Sequence, residues 1–155
     1  MNQNKYFETE LKPRLEKLSY KKSKAFCYSC YTEAPTGVCA LCGSDDLARI
    51  MDGIGVEFGI AWVIQHLIES NLIPINTEAA FQEFINECYP ATTKVLWLEL
   101  DSVTIAKEID PISWEMAKSE FVDSQIDEGF YVTFDDGKYF STDDVETFLN
   151  HEGVK

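Results

Sequence analysis

Four cysteines stand in two pairs, Cys27-Tyr-Ser-Cys30 and Cys39-Ala-Leu-Cys42, with eight residues between the pairs. A C-x2-C turn aims two thiolates at one point, and two such turns complete a tetrahedral shell of four sulfurs. That shell is the geometry of structural zinc. Iron in a rubredoxin-like site is the other metal that four thiolates hold. Because the protein fills all four positions, no place is left for water, and the expected ion is structural, not catalytic. Two disulfides or four unconnected thiols are the alternative uses of these residues; a reducing compartment argues against the first and the paired spacing against the second. The fifth cysteine, Cys88, falls on the apolar face of a helical pattern, where a buried small hydrophobe is expected.

Gly37 lies in the connection and Gly43 follows the second pair, where a tight turn needs a backbone of positive φ. The run Cys39-Ala-Leu-Cys42-Gly43-Ser44-Asp45-Asp46-Leu47 resembles the second knuckle of a zinc ribbon, with Ala40 where that family often has proline. The resemblance covers residues 25–46. It implies a ribbon fold there and a Zn²⁺ held by Cys27, Cys30, Cys39 and Cys42.

The remaining chemistry is sparse. The spacing of Gly53, Gly55 and Gly59 is one residue longer than a dinucleotide fingerprint, and Asp52 and Glu57 put negative charge where phosphate would sit. A turn and a close helix contact account better for these glycines. Asp135-Asp136-Gly137 lacks the alternating acids of a calcium loop and reads as a hairpin turn. His66 shares a helical row with Phe58 and Trp62, which predicts a packed core histidine. His151 suits a helix C-terminus. No Ser-His-Asp, H-E-x-x-H or P-loop pattern occurs.

Charge carries the rest of the functional argument. The 155 residues hold 27 acids against 13 Lys and Arg, a net −14. Such a molecule does not bind DNA or anionic lipid as a basic surface. The charge is uneven. Residues 1–26 contain seven bases and three acids, whereas residues 111–155 contain eleven acids and three lysines. The expected organisation is a basic helical arm (1–24), zinc-ribbon knuckles (25–48) and an acidic α+β body (49–155). The longest apolar run, Ile60 to Ile64, is too short to span a bilayer, and Met1 to Lys5 lacks an apolar signal core. Both predict a cytosolic protein.

Three function classes follow. The first is a non-enzymatic acidic module that binds a basic, nucleic-acid-handling protein by imitating the charge of nucleic acid. Its candidate contact residues are Asp123, Asp127, Glu128, Asp135, Asp136, Asp143, Asp144 and Glu146, with Glu152 nearby. In size and acidity the chain resembles antirestriction and anti-CRISPR proteins, a likeness of composition that implies an anti-defence role and carries over no residues. The second is an accessory factor that touches nucleic acid through its arm, where Tyr20, Phe26, Tyr28 and Tyr31 interleave with Lys21, Lys22 and Lys24. Packing of these aromatics against the ribbon is the competing use of them. The third is an enzyme whose site assembles from residues distant in sequence.

The elements that position these residues are read from period and punctuation. A helix is expected over 5–19, beginning or kinking at Pro13, and a second over 56–69, with a loop at 52–55. Thr77 is expected to cap a third helix, which Pro90 stops. Residues 94–100 alternate as one strand. Asp101 caps a short helix, and Asp110-Pro111 starts another. A hairpin flanks 135–137, and Ser141 or Thr142 opens a last helix. The expected core is Ile60, Val63, Ile64, Leu67, Phe81, Phe84, Ile85, Leu96, Leu98, Trp114, Phe121 and Phe148. An α+β protein results: a helix-rich body with a small mixed or antiparallel sheet and an inserted zinc ribbon.

Overall fold

A computed structural model describes residues 5–134 and 137–154. The fold is α+β, with α-helices joined by small antiparallel sheets. The chain separates into two compact units. An outer unit takes Tyr6–Ile73 and the chain from Asp143 onward, and an inserted unit takes Pro74–Thr142, with Lys5 grouped with it.

The outer unit starts with a π-helical turn, Phe7–Leu11, that runs directly into α1 (Lys12–Lys22). Pro13 occupies the first turn of α1, and the wide turn before it absorbs the hydrogen bond that proline cannot donate. Phe7, Leu11, Leu15 and Leu18 recur on one side and are buried. Next come β1 (Lys24–Cys27), β2 (Thr32–Glu33), β3 (Ala48–Met51) and β4 (Gly55–Glu57), in the sheet order β2-β1-β3-β4. Helix α2 (Ala61–Asn71) packs on α1 and buries Val63, Ile64, Leu67 and Ile68. The unit is completed by α6 (Thr142–His151), which brings in Val145, Phe148 and Leu149. Arg14 fastens it, donating to the Val154 carbonyl from Nε and Nη2 and to Asn150 Oδ1 at 2.7 Å.

The helix expected over 56–69 begins only at Ala61. Residues 55–57 are instead the edge strand β4, registered Arg49↔Glu57, Ile50↔Val56 and Met51↔Gly55. The Asp52-Gly53-Ile54 turn folds them back onto β3, and that ladder outweighs the local helical period. Trp62 Nε1 donates to the Glu57 carbonyl at 3.1 Å and fixes the passage from β4 to α2. Phe58 is thus left outside the helix and exposed. An added Cβ would meet no neighbouring element within 4 Å at Gly53, Gly55 or Gly59, so the close helix contact is absent; positive φ of 76° and 84° accounts for Gly53 and Gly59, whereas Gly55 lies in β4.

The inserted unit contains α3 (Thr77–Cys88), the hairpin β5 (Thr92–Val95) and β6 (Leu98–Asp101), α4 (Ser102–Ile109), α5 (Pro111–Asp127), and the hairpin β7 (Tyr131–Thr133) and β8 (Tyr139–Ser141). Caps mark its helices. Asp101 accepts from the Thr104 amide and Asp110 from the Ser113 amide, as expected. For α3 the cap is Asn76, not Thr77: its Oδ1 accepts from the Ala79 amide at 3.0 Å. Phe81, Val103 and Trp114 form the core of the helical layer, with Ile85 and Phe121 half-buried beside them. Phe81 meets Trp114 edge-on at 4.7 Å between ring centroids.

Three expected core residues of this unit are not in it: Phe84 is 40% exposed, Leu98 49% and Leu96 79%. Residues 94–100 are not one strand but the two arms of a hairpin, turning at Leu96-Trp97. The turn places Leu96 at φ 58°, a left-handed conformation that costs an L-residue with a side chain. Cys88, expected to be buried, is exposed at the end of α3. The other expected core positions are buried (Val63, Ile64, Leu67, Phe81, Trp114, Phe148) or half-buried (Ile60, Ile85, Phe121).

Candidate functional site

The first knuckle lies in the turn between β1 and β2, the second in the connection to β3. Backbone bonds close the second. The Gly43 amide donates to the Cys39 carbonyl at 2.8 Å and the Cys39 amide to the Ser44 carbonyl at 2.9 Å. Gly37 and Gly43 take φ 86° and 74°, as those turns require. Cys27, Cys30, Cys39 and Cys42 are brought together, and their sulfurs all lie within 4.8 Å of one another. A tetrahedral Zn–S shell with bonds of about 2.3 Å needs sulfurs about 3.8 Å apart; Cys27 and Cys42 stand at 3.7 Å. All five cysteines are free. The donor set fits a metal ion.

The thiol protonation pattern has the same physical origin. The backbone N–H groups of Cys42 and Leu41 point at Cys39 and lower its pKa to about 6; the Leu41 amide is 3.4 Å from the sulfur. Its neighbours Cys42 and Cys39 push Cys30 up to about 12. Four sulfurs in one shell cannot all ionise without a cation between them. A dication at the centre reverses that balance and holds all four as thiolates. Cys27 and Cys39 are buried, Cys30 is half-buried and Cys42 is exposed, so the cluster meets solvent along one edge.

The candidate carboxylates fall into two groups. Asp123, Asp127 and Glu128 lie along the end of α5 in the inserted unit. Asp123 and Asp127, four residues apart, share a helix face. Asp143, Asp144 and Glu146 lie in the first two turns of α6 in the outer unit, where Glu146 accepts from the Tyr6 hydroxyl at 2.7 Å. Asp135 and Asp136 lie outside the described residues. Among the described residues, Asp123, Asp127, Glu128, Asp143 and Asp144 are exposed and carry no ion pair.

The basic residues are used differently. Lys24 is paired with Asp52 at 3.0 Å and Glu33 at 3.3 Å, and Lys22 with Glu152 at 3.7 Å. Arg49 donates to the Tyr20 and Ser23 carbonyls and lies over the Tyr20 ring. Of the aromatics in this stretch, only Phe26 packs inward. Tyr28 and Tyr31 are exposed and form a loose ring cluster with Phe58, a feature that needs the β4 placement to be seen. His66 is half-buried and hydrogen-bonded to Ser70, so it is not a core residue. His151 ends α6 beside Glu152.

No protein family, curated protein sequence or solved structure matches this chain. Within the described residues, no helix is long and apolar enough to cross a membrane. The likeness to anti-defence proteins therefore rests on size and acidity alone, whereas the likeness to a zinc ribbon also has the clustered cysteines behind it.

Proposed function

We propose that this protein is a non-enzymatic binding module, with one structural zinc at Cys27, Cys30, Cys39 and Cys42, that engages a basic nucleic-acid-handling protein through surface carboxylates. One observation carries the reading. Lys12, Lys22, Lys24, Lys107 and Lys118 are committed to acids of the protein itself, while the carboxylates of late α5 and early α6 face solvent without a cation. Unpaired carboxylates on rigid helices offer a basic groove what a phosphate backbone offers it. Inhibition of a host-defence nuclease is one use of such a surface. The zinc would tie β1, β2 and β3 together and perform no chemistry.

Capture of partners from the native host tests this reading, with DNA used to displace whatever binds. Two variants separate the alternatives. One carries Asp123→Asn, Asp127→Asn, Glu128→Gln, Asp143→Asn and Asp144→Asn, and the other carries Lys21→Gln, Lys22→Gln and Lys24→Gln. Single rim charges contribute little, so the changes are made together. The reading expects a DNA-displaceable partner that the acid variant loses and the lysine variant keeps. The opposite result, with nucleic acid bound by the wild type, replaces it by an accessory factor working through the arm. The exposed Tyr28, Tyr31 and Phe58 cluster favours that second reading; the internal pairing of Lys22 and Lys24 weighs against it.

A further inference from the structure

The inserted unit carries an apolar surface that reaches beyond its own core. A groove of about 500 Å³ runs along α3, α4 and α5. Phe81, Ile85, Ile105 and Trp114 line it, and Ile109, 78% exposed, forms its outer edge. Thr93 of β5 and Ser102 of α4 also line it, joined hydroxyl to hydroxyl at 2.7 Å.

The strand register extends this lining. Directly opposed residues of an antiparallel pair share a face, and faces alternate along each strand. Thr93 opposes Leu100, and Val95 opposes Leu98. The face of the hairpin that carries Thr93, and with it the groove, therefore carries Val95, Leu98 and Leu100. The other face holds Thr92, Lys94, Glu99 and Asp101, with Thr92 bonded to Glu99. One side of the hairpin is apolar, the other is polar, and the apolar side continues the groove. Leu96 and Trp97, about four-fifths exposed, form its tip. Contiguous apolar surface of this kind marks a contact site.

Charge decides the occupant. Residues 74–142 contain fourteen acids and four lysines, a net −10. Two of those lysines, Lys107 and Lys118, are held by Glu78. Asp110 lines the groove, and Glu83, Glu87 and Glu108 are exposed on the helices that wall it. A second copy of the chain, or an anionic lipid surface, would bring like charge to the same face. We infer that the groove and the apolar face of the β5–β6 hairpin hold a basic amphipathic helix of the partner protein. Its apolar residues at i, i+3, i+4 and i+7 would fill the groove and cover the hairpin, and its Lys and Arg would meet the surrounding carboxylates. This rests on the acidic-module reading and gives it a docking face.

The test uses the full zinc-loaded chain and titration calorimetry. The probe is an 18-residue Leu–Lys helix with leucines at the spacing above. Its controls are a peptide of the same composition without that period and a Leu–Glu helix with it. The Leu–Lys helix should bind at least about tenfold more tightly than either control, and more weakly as salt rises. Trp97→Ser and Ile109→Ser alter exposed side chains and should leave the fold intact by circular dichroism, yet each should lower affinity about tenfold or more. Equal affinity for the scrambled peptide, or wild-type affinity in both variants, overturns the inference. So does sedimentation with phosphatidylcholine–phosphatidylglycerol vesicles, or dimerisation of the free chain, that Trp97→Ser abolishes. If the five-carboxylate variant loses the Leu–Lys helix while the groove variants keep it, the groove inference fails and the carboxylate reading stands. If the groove variants lose it and the carboxylate variant keeps it, the groove stands and the α5–α6 carboxylates do not.

Discussion

Leu11, Leu15, Leu18, Val63, Ile68, Val145 and Leu149 of the outer unit are at most 1% exposed, whereas among the apolar side chains of the inserted unit only Phe140 is so completely enclosed. The inserted unit instead leaves Phe84, Val95, Leu96, Trp97, Leu98, Ile109, Ile112 and Met116 in contact with water. The outer unit closes a core of helix side chains and adds a cysteine cluster, while Leu41, Ile54, Phe58 and Ile73 stay exposed. The inserted unit buries Phe81, Val103, Trp114, Val122, Val132 and Phe140, and leaves an apolar groove and one hairpin face open. Exposed apolar side chains add little to the local opening free energy, and elements that meet partners are drawn from the low end of that range. Acidity follows the same division: residues 74–142 hold more than half of the chain's 27 acids in less than half of its length.

The largest way to disturb this contrast is the metal. Binding free energies of structural zinc, about 10–16 kcal/mol in small domains, act as folding free energy. Cys39→Ser should release the ion and strip amide protection from residues 25–46, with α3 and α5 keeping theirs. Elemental analysis with hydrogen exchange measures both. Equal loss of protection in α3 and α5 would break the comparison, because the two units would then be one cooperative body.

Core truncation comes next. Ile68→Ala, at a fully enclosed position, should cost about 2–5 kcal/mol in denaturant melts. Phe84→Ala removes a ring that is already 40% exposed and should cost only about 1–2 kcal/mol despite the larger side chain. If the order reverses, the inserted unit is the better packed of the two.

Acid should act on the inserted unit through Glu78. Lys107, 2.8 Å away, does most to hold the Glu78 carboxyl down to about 2, helped by Lys118, Gln82 and the Trp114 indole N–H, while burial opposes them. A carboxyl with a depressed folded-state pKa stabilises above its ordinary value, near 4.5. That contribution is lost as the pH falls from there toward 2. Glu78→Gln should cost about 1–2 kcal/mol at neutral pH, discounted for partial exposure, and flatten the acid limb of the stability curve. An unchanged limb would mean that the network contributes nothing. The smallest effect has the opposite sign. Leu96→Gly relieves a left-handed leucine and should stabilise the unit by about 0.5–1 kcal/mol, measured by thermal melting.

How legible these features are in the sequence depends on the range of the interactions behind them. The cysteine cluster is local, set by two short turns, and it is plain in the spacing. The caps at Asp101 and Asp110 are equally local and stand where the sequence puts them. The β5–β6 hairpin is not visible, because Leu96-Trp97 has none of the residues that announce a turn, and the apolar alternation continues through it. Strand β4 is hidden for a related reason: its pairing with β3 is decided by the ladder, while Ile60 and the residues after it set a helical period. The exposure of Phe84 and Leu98 depends on what fails to cover them, which one segment cannot reveal. The same holds for the internal pairing of Lys22 and Lys24, whose partners are Glu152, Glu33 and Asp52.

The insertion of residues 74–142 also sets a timetable. A ribosome adds about 5–20 residues per second, so roughly 4–14 s separate the emergence of α2 from that of α6. Throughout that interval the nascent outer unit lacks Val145, Phe148 and Leu149, and Arg14 lacks Asn150 and the Val154 carbonyl. The inserted unit has all of its own sequence first. Synthesis therefore supplies the whole groove-bearing unit before the outer unit has its full set of core side chains, and α1 and α2 wait for α6 to complete their packing.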